Sequence, residues 1–95
     1  MPNEYSLTQN FPNPFNPSTT ISYELPNESN VKMEIYNMLG QQVDVLVNGV
    51  KNGGYHEVKW DAGSAASGIY FYIIKAQSFT ESNQTQIVKK MILTK

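Results

Sequence analysis

The sequence contains neither cysteine nor arginine among its 95 residues, and its formal net charge is only −1. The lack of cysteine excludes disulfide bonds, zinc–thiolate sites and a thiol nucleophile together. The lack of arginine disfavours nucleic-acid binding, because arginine supplies the bidentate contacts that read phosphate and guanine. These absences remove several classes of function and predict no nucleic-acid partner.

Long hydrophobic runs are also missing. No run approaches the roughly 18 apolar residues of a membrane helix, so we predict no direct membrane insertion. The first residues, Met1 to Glu4, lack the basic and apolar pattern of a signal peptide. We therefore expect a domain cut from a longer protein, with any export signal upstream of this sequence.

The length predicts one domain, residues 1–95. A chain of this size buries about 60–65% of its unfolded surface, which allows one core but no deep active-site cavity beside it. The apolar content of 40% and the charged content of 16% are those of ordinary globular domains.

Residues 9–18, here called the strap, are rich in proline and aromatic residues. The prolines are Pro12, Pro14 and Pro17. Each proline lacks a backbone donor and pushes the residue before it into extended geometry. We therefore predict a stiff extended strap lying against a β-domain, with Phe11 and Phe15 as two aromatic plugs in its core.

The rest of the chain alternates apolar and polar residues with period two, which is typical of strands. Strands are predicted near residues 5–7, 18–25, 31–35, 41–47, 55–60, 69–76 and 87–93, the last within a terminal strand at 86–95. About seven strands with frequent turns predict an all-β fold, an immunoglobulin-like antiparallel β-sandwich. Residues 69–76 are apolar on both faces, which is typical of a central strand.

Two details of this scheme concern the middle of the chain. Val43, Val45 and Val47 are predicted to share one face of a strand. Asn48-Gly49 and Asn52-Gly53-Gly54 are predicted to be turns. A further turn, the tip of a hairpin, is predicted at Glu81–Gln84.

The titratable residues form no catalytic or metal-binding pattern. His56 is in phase with Val58 and Trp60, so we interpret it as an edge-strand histidine that packs against the core or the sheet end. Asp44 and Asp61 do not have the spacing of a calcium loop, and Asp61 is expected to accept backbone N–H bonds that shape the loop after it. We predict no catalytic residue, no metal, no cofactor and no enzymatic activity.

Aromatic and basic residues leave two alternatives open. The six tyrosines and the tryptophan could form a sugar-stacking face, although most aromatics in so small a sandwich are core residues. Lys89, Lys90 and Lys95 either protect a terminal edge strand from association or form a basic tail that a partner reads.

Five segments, taken in order, carry a family resemblance. They are Q-N-F-P-N-P-F-N-P-S-T-T-I-S-Y at 9–23, I-Y-N-M-L-G-Q-Q-V at 35–43, H-E-V-K-W-D at 56–61, S-G-I-Y-F-Y at 67–72 and K-K-M-I-L-T-K at 89–95. Together they resemble the type A C-terminal sorting domain of the type IX (Por) secretion system. The chain is also similar to the related immunoglobulin-like domain of flagellar hook-capping proteins.

The resemblance implies a non-catalytic targeting domain at the C-terminus of exported proteins of Bacteroidetes-type bacteria. Its partners would be the outer-membrane translocon, a sortase-like signal peptidase and the upstream cargo domain of the same chain. The cargo would pass through the periplasm to the cell surface or the medium, and the domain is commonly cleaved off. Alternatives from other classes are a structural immunoglobulin-like spacer and a small carbohydrate-binding module that uses Tyr70 and Tyr72.

The resemblance also implies the sorting motifs. They are Pro12-Asn13-Pro14, Gly68-Ile69-Tyr70 and Lys89-Lys90 with Lys95. The terminal strand is expected to offer an open edge to a receptor, at the opposite end of the domain from the strap. The segment 78–86 is longer than is common in the family, which leaves the register of its hairpin open.

Overall fold

The computed structural model describes residues 2–80 and 84–94, and it places seven antiparallel strands in two sheets. The strands are β1 (Ser6–Leu7), β2 (Ser18–Leu25), β3 (Ser29–Asn37), β4 (Gln42–Lys51), β5 (Gly54–Asp61), β6 (Gly68–Ser78) and β7 (Gln84–Leu93). One sheet has the order β1-β2-β5, and the other has the order β4-β3-β6-β7. We call them the three-stranded and the four-stranded sheet. The predicted immunoglobulin-like β-sandwich is confirmed.

The core lies between the two sheets and contains the inward residues of every strand. Buried apolar residues are Leu7, Phe15, Ile21, Tyr23, Leu25, Val31, Met33, Ile35, Val47, Trp60, Tyr70, Tyr72, Ile74, Ala76, Met91 and Leu93. The period-two pattern of β2, β5 and β6 is observed as alternation of burial, which in β6 begins at Ile69. Strand β6 lies between β3 and β7, as predicted for a central strand.

Strand β4 departs from the prediction in two ways. Asn48 and Gly49 are not a turn, because they pair with Lys32 and Val31 of β3 and the strand continues to Lys51. The turn lies only at residues 52–53, where the chain crosses from the four-stranded sheet to the three-stranded one.

The three valines of β4 also do not share a face. Its register against β3 shifts twice, and each shift inserts one unpaired residue. An inserted residue moves the following side chain to the other face of the sheet. Val47 is therefore buried, Val45 is half-buried and Val43 is exposed.

The β6–β7 hairpin has a regular register up to its last described pairs. Ala76 pairs with Thr85 and Gln77 pairs with Gln84. This pairing settles the register that the long polar segment left open. Residues 81–83 of the predicted hairpin tip lie outside the described part of the chain.

Candidate functional site

The structure brings the predicted sorting motifs together at one end of the sandwich. The side-chain Oδ1 of Asn13 accepts a hydrogen bond from the backbone N–H of Ile92, at 3.0 Å. Strand β6 also pairs with β7 here: Gly68 of β6 pairs with Leu93 of β7, and Phe71 of β6 pairs with Lys90 of β7. We call this end, where the strap meets the start of β6 and the end of β7, the motif end.

This arrangement corrects one expectation. The strap was predicted to lie at the opposite end of the domain from the terminal strand, but it contacts that strand directly. The contact joins residues 79 positions apart in sequence, so no local pattern announces it. Lys95, the last predicted motif residue, lies outside the described residues.

The first half of the strap is bound to the three-stranded sheet. Just before the strap, the N–H of Thr8 donates to the carbonyl of Ser22 on β2, and within the strap Phe11 exchanges both backbone hydrogen bonds with Thr20 at 2.9 Å. Directly paired residues direct their side chains to the same side of a sheet. Because Thr19 and Ile21 face the core, Thr20 faces outward, and Phe11 faces outward with it.

Phe11 is therefore not a core plug, contrary to the prediction. Its side chain is 80% exposed, whereas that of Phe15 is 1% exposed. The ring of Phe15 packs against the indole of Trp60, with 5.7 Å between the ring centroids. One aromatic residue of the strap anchors the domain, and the other lies on its surface.

The second half of the strap is bound to the four-stranded sheet as a short parallel addition to β7. The N–H of Phe15 donates to the carbonyl of Ile92 at 3.0 Å, and the N–H of Thr94 donates to the carbonyl of Phe15 at 2.9 Å. The strap thus covers the outer edge of β7 near its end. The predicted open edge is wrong for this half of the terminal strand.

Side-chain amides complete the attachment of the strap to β7. The Nε2 of Gln9 donates to the carbonyl of Lys90 at 2.7 Å, while the Oδ1 of Asn13 accepts from Ile92. Prolines offer no backbone donor; the Nε2 of Gln9 provides a side-chain donor to β7, and the Oδ1 of Asn13 provides an acceptor. Gln9 and Asn13, two amide residues within the proline-rich strap, were the available sequence signal for this role.

A buried polar centre links the strap to the core, and sequence reasoning missed it. The backbone N–H of Asn10 donates to the Tyr72 hydroxyl at 2.8 Å, and this hydroxyl donates to the carbonyl of Thr8 at 2.7 Å. The Asn10 side chain donates to Thr19 Oγ1 and to the carbonyl of Pro12. Burial raises the pKa of Tyr72 to about 12, although the hydrogen bond from Asn10 acts in the opposite direction.

The Gly68-Ile69-Tyr70 motif has a clear structural role at the motif end. Gly68 has a φ of +150°, which other residues rarely adopt, while a Cβ there would meet nothing within 4 Å. The glycine is thus required for its conformation and not for close packing. Tyr70 is buried against Trp60, and its hydroxyl donates a hydrogen bond to the carbonyl of Ala66 at 2.6 Å.

The two described lysines of the terminal motif lie on opposite faces of β7. Lys90 is exposed on the outer face beside Phe71. Lys89 is half-buried on the same face as Met91, at the rim of the core. Neither ammonium group forms an ion pair with a described residue.

The remaining candidate residues have structural roles, as interpreted from the sequence. The ring of His56 stacks on Tyr23 with 5.1 Å between centroids, and its Nε2 donates to the carbonyl of Asn52. Asp61 accepts the N–H of Gly63 and shapes the loop after β5. Asp44 accepts the indole N–H of Trp60 at 3.0 Å.

Tyr70 and Tyr72 also bear on the carbohydrate-binding alternative. Both rings are buried in the core. A sugar can stack only on an aromatic face that it can reach. These two tyrosines therefore provide no sugar-binding platform.

A second residue that sequence reasoning missed is Glu34. It occupies a polar position in the period-two alternation of residues 31–35, yet it is only 3% exposed. Its carboxylate lies 3.1 Å from Lys75 Nζ and 3.7 Å from Lys32 Nζ, and it accepts a hydrogen bond from the Tyr36 hydroxyl. Desolvation alone would raise the pKa of Glu34, but the hydrogen bonds from Lys75 and Tyr36 and the two ammonium charges together lower it. The result is a charge cluster on the outer face of the four-stranded sheet.

The chemistry of the site is limited by what its described residues contain. Residues 2–80 and 84–94 contain no group of three or more His, Asp or Glu side chains placed to hold a metal ion. No helix in this part of the chain has the length and apolar character needed to cross a bilayer. What the motif end offers is a surface of paired strands, amides and lysines.

The fold and this surface define a class: an immunoglobulin-like domain that presents a strapped terminal strand. Comparison with known families is more specific. The chain matches the family described as "Secretion system C-terminal sorting domain" over residues 9–94. It therefore belongs to the family of C-terminal sorting domains of the type IX secretion system.

A solved structure agrees with this assignment. The chain is similar to part of PorU from Porphyromonas gingivalis, in the crystal structure of dimeric latent PorU, with a TM-score of 0.72 and 28% sequence identity. The match covers 96% of this chain but only 9% of the PorU chain. No curated protein gives a significant match. The chain is thus similar to a small part of that protein.

Family membership supports a coarse functional statement. Domains of this family serve as sorting signals for type IX secretion, and the family is in general non-catalytic. A sorting tail of this kind implies export to the cell surface or the extracellular space.

Proposed function

We propose that residues 1–95 form a single, non-catalytic targeting domain that directs an attached cargo protein across the outer membrane through the type IX secretion system. The observation that carries this proposal is the meeting of the sorting motifs at the motif end. The side chain of Asn13 in the strap accepts a hydrogen bond from the backbone N–H of Ile92 in β7. Gly68 of β6 pairs with Leu93, the residue that follows Ile92. Motifs from three distant parts of the sequence thus form one surface only in the folded domain.

The recognised signal is, on this proposal, a folded surface and not a linear peptide. Met91 and Leu93, which follow the motif lysines on the same strand, are buried in the core. A partner therefore meets Lys89 and Lys90 on a fixed strand. Fixed charges at an interface mainly set the orientation and the rate of association.

On this proposal, the N-terminal half of the outer β7 edge contributes to partner binding. Ile92 directs its N–H and carbonyl toward the strap, and backbone alternation directs those of Val88 and Gln86 the same way. Among the described residues, no hydrogen bond reaches these outward groups of Val88 and Gln86. An extended segment of a partner can add to this half of the strand by main-chain pairing.

The partners follow from the proposed role. They are the cargo domain upstream in the same chain, the outer-membrane translocon and a sortase-like signal peptidase. The cargo is in transit in the periplasm before it reaches the surface, and the peptidase cleaves the domain from it during or after export.

A reporter protein fused upstream of this domain, expressed in a host with a working type IX system, tests the proposal. We expect the wild-type fusion to reach the cell surface or the medium. In the Lys89→Ala/Lys90→Ala variant, we expect the exported fraction to fall by about tenfold, the lower range of electrostatic effects on association rates. The matched control is Lys51→Ala/Lys59→Ala, which removes the same charge from exposed positions on β4 and β5.

The outcomes separate the parts of the proposal. If the wild-type fusion stays in the periplasm, the targeting function is rejected. If both double variants are exported like the wild type, the lysines are not part of the signal. Thermal unfolding of the purified variants shows whether any loss of export comes from loss of the fold.

A further inference from the structure

Two Asn-Gly pairs lie close together in the middle of the chain, Asn48-Gly49 and Asn52-Gly53. Asparagine is a thermolabile residue, and a following glycine favours loss of its side-chain amide because glycine has no Cβ to hinder the attacking backbone nitrogen. Both asparagine side chains are exposed, and neither forms a hydrogen bond to a described residue. Sequence and exposure thus offer the two sites the same opportunity for this reaction.

The backbone separates the two sites. Asn48 and Gly49 each pair with a residue of β3, in a ladder that continues to the end of β4. Residues 52–53 lie outside the strands, between the end of β4 and the start of β5. The N–H of Gly53 forms no hydrogen bond to a described residue. The first pair is therefore held in a strand, and the second belongs to an unpaired turn.

The reaction open to such a pair is deamidation. The backbone nitrogen of the glycine loses its proton to water or hydroxide and attacks the side-chain Cγ of the asparagine. A new bond forms between this nitrogen and Cγ, the original Cγ–N bond breaks, and the amide nitrogen leaves as ammonia. Water then opens the five-membered succinimide at either carbonyl, which yields aspartate or isoaspartate. One water is consumed for each ammonia released, and no oxidant or reductant takes part.

Ring closure requires freedom of the backbone. The ring atoms become nearly coplanar, so the Cα–C bond of the asparagine must rotate away from the extended geometry of a strand, where ψ is about +135°. At Asn48 this rotation breaks the pairing of β4 with β3. At Asn52 it breaks no ladder. The hydrogen bond that it strains there is the one from the Nε2 of His56 to the Asn52 carbonyl, at 2.7 Å.

We propose that Asn52 deamidates spontaneously in the folded domain, while the pairing of β4 protects Asn48 from the same reaction. The product carries one more negative charge at the turn that joins the two sheets. The reaction requires only water, so it is independent of the proposed sorting function.

The turn lies away from the sorting motifs. Lys51, the last residue of β4, pairs with Ser29, and Ser29 pairs with Ser78 at the end of β6. The motif end instead contains the start of β6 and the end of β7. Deamidation at residue 52 thus accumulates with time at one end of the domain and leaves the motif end unchanged.

Mass spectrometry of the purified domain tests the proposal. The domain is incubated at neutral pH, below its thermal unfolding transition, and the mass gain of deamidation is followed by tryptic mapping. Trypsin cleaves after Lys51, so Asn48 falls in the peptide of residues 33–51 and Asn52 in that of residues 52–59. Fragment spectra assign each mass gain to one asparagine.

We expect Asn52 to deamidate at least about tenfold faster than Asn48, because a tenfold ratio corresponds to only about 1.4 kcal/mol of free energy for local opening of the strand. Synthetic peptides of residues 45–51 and 49–55 supply the intrinsic rates without the fold, and we expect these two rates to be similar. The matched variant is Asn52→Gln. Glutamine would have to close a six-membered ring, so this change should remove the first deamidation of the intact domain and leave the rate at Asn48 as it is.

Equal rates at the two sites in the folded domain, or a faster reaction at Asn48, would overturn the proposal. A rate at Asn52 about tenfold or more below that of its peptide would overturn it as well, since the turn would then be protected like a strand. The same conclusion follows if the intact Asn52→Gln domain deamidates as fast as the wild type. A faster reaction at Asn52 in the domain, with similar rates in the two peptides, supports the assignment.

Discussion

The two halves of the strap have nearly the same composition and opposite structural roles. In the first half, Phe11 pairs with β2 of the three-stranded sheet and its ring is exposed. In the second half, Phe15 pairs with β7 of the four-stranded sheet and its ring is buried. Both phenylalanines are preceded or followed by proline and asparagine. The strand with which each pairs, and not its own neighbours in sequence, determines which way its side chain points.

The two halves are also held by different chemistry. The first half is bound by the backbone pairing of Phe11 with β2 and by the Tyr72 hydroxyl of β6, which accepts the N–H of Asn10 and donates to the carbonyl of Thr8, just before the strap. The second half is bound through the Phe15 ring and backbone and through the Asn13 amide. The first attachment contains a titratable group and the second does not, so the two halves should respond differently to mutation and to pH.

The largest expected effect is that of Phe15→Ala. Removal of a buried phenylalanine ring costs about 3–5 kcal/mol of unfolding free energy, because it leaves a cavity and loses buried apolar area. The matched control is Phe11→Ala, which should change the unfolding free energy by less than about 0.5 kcal/mol because the ring is exposed. Urea denaturation of both variants measures the difference. Similar losses in the two variants would contradict the comparison.

An intermediate effect is expected for Tyr72→Phe. The change leaves the buried N–H of Asn10 without its acceptor and should cost about 1–3 kcal/mol. It should also change how the unfolding free energy of the domain depends on pH in alkaline solution. The pKa of Tyr72 is raised from 10.0 to about 12 in the folded state, so the stability that its neutral hydroxyl provides is complete below pH 10.0 and is lost as the pH rises toward 12.

Urea denaturation at neutral and alkaline pH checks this prediction. The unfolding free energy of the wild type should fall more steeply between pH 10.0 and 12 than that of Tyr72→Phe. Tyr23, whose pKa burial also raises, remains in both proteins and accounts for part of the slope they share. Parallel curves would show that burial does not raise the pKa of Tyr72 in the folded domain.

The smallest effect is expected for Asn13→Ala. It removes the acceptor for the Ile92 N–H, a hydrogen bond worth about 1 kcal/mol, and water can replace part of it at this exposed edge. Hydrogen exchange should show faster exchange at the Ile92 amide. Asn16→Ala is the matched control, since the Asn16 side chain forms no hydrogen bond to a described residue. Unchanged exchange at Ile92 would mean that the strap covers β7 without this amide.

Much of the fold could be predicted because it follows from local alternation. Strand β2 runs Ser18–Leu25 with every second residue buried, as the spacing of Ile21, Tyr23 and Leu25 indicates. Strand β4 could not be predicted as well. Its two register shifts depend on how it pairs with β3, and Val43 and Val45 carry no local sign of them.

The same limit applies to the charged and polar residues. Glu34 occupies a polar position in the alternation of β3, yet it is buried because Lys75 of β6 and Tyr36 cover it. Asn10 is a polar residue in the proline-rich strap, yet it is buried against Tyr72, 62 positions away in sequence. Burial of a polar group depends on partners that are distant in the chain.

The sequence by itself determined the strands, the immunoglobulin-like class, the sorting family and the presence of a proline-rich strap, because alternation and motif spacing are local properties of the chain. Only the tertiary structure decided that Phe15 is an anchor while Phe11 is exposed, that the strap covers the end of β7, and that the sorting motifs share one end of the sandwich. The physical reason is that these features depend on backbone hydrogen bonds between strands far apart in sequence. Such pairing selects the buried face of each residue, and it does so only when the two sheets close around their common core.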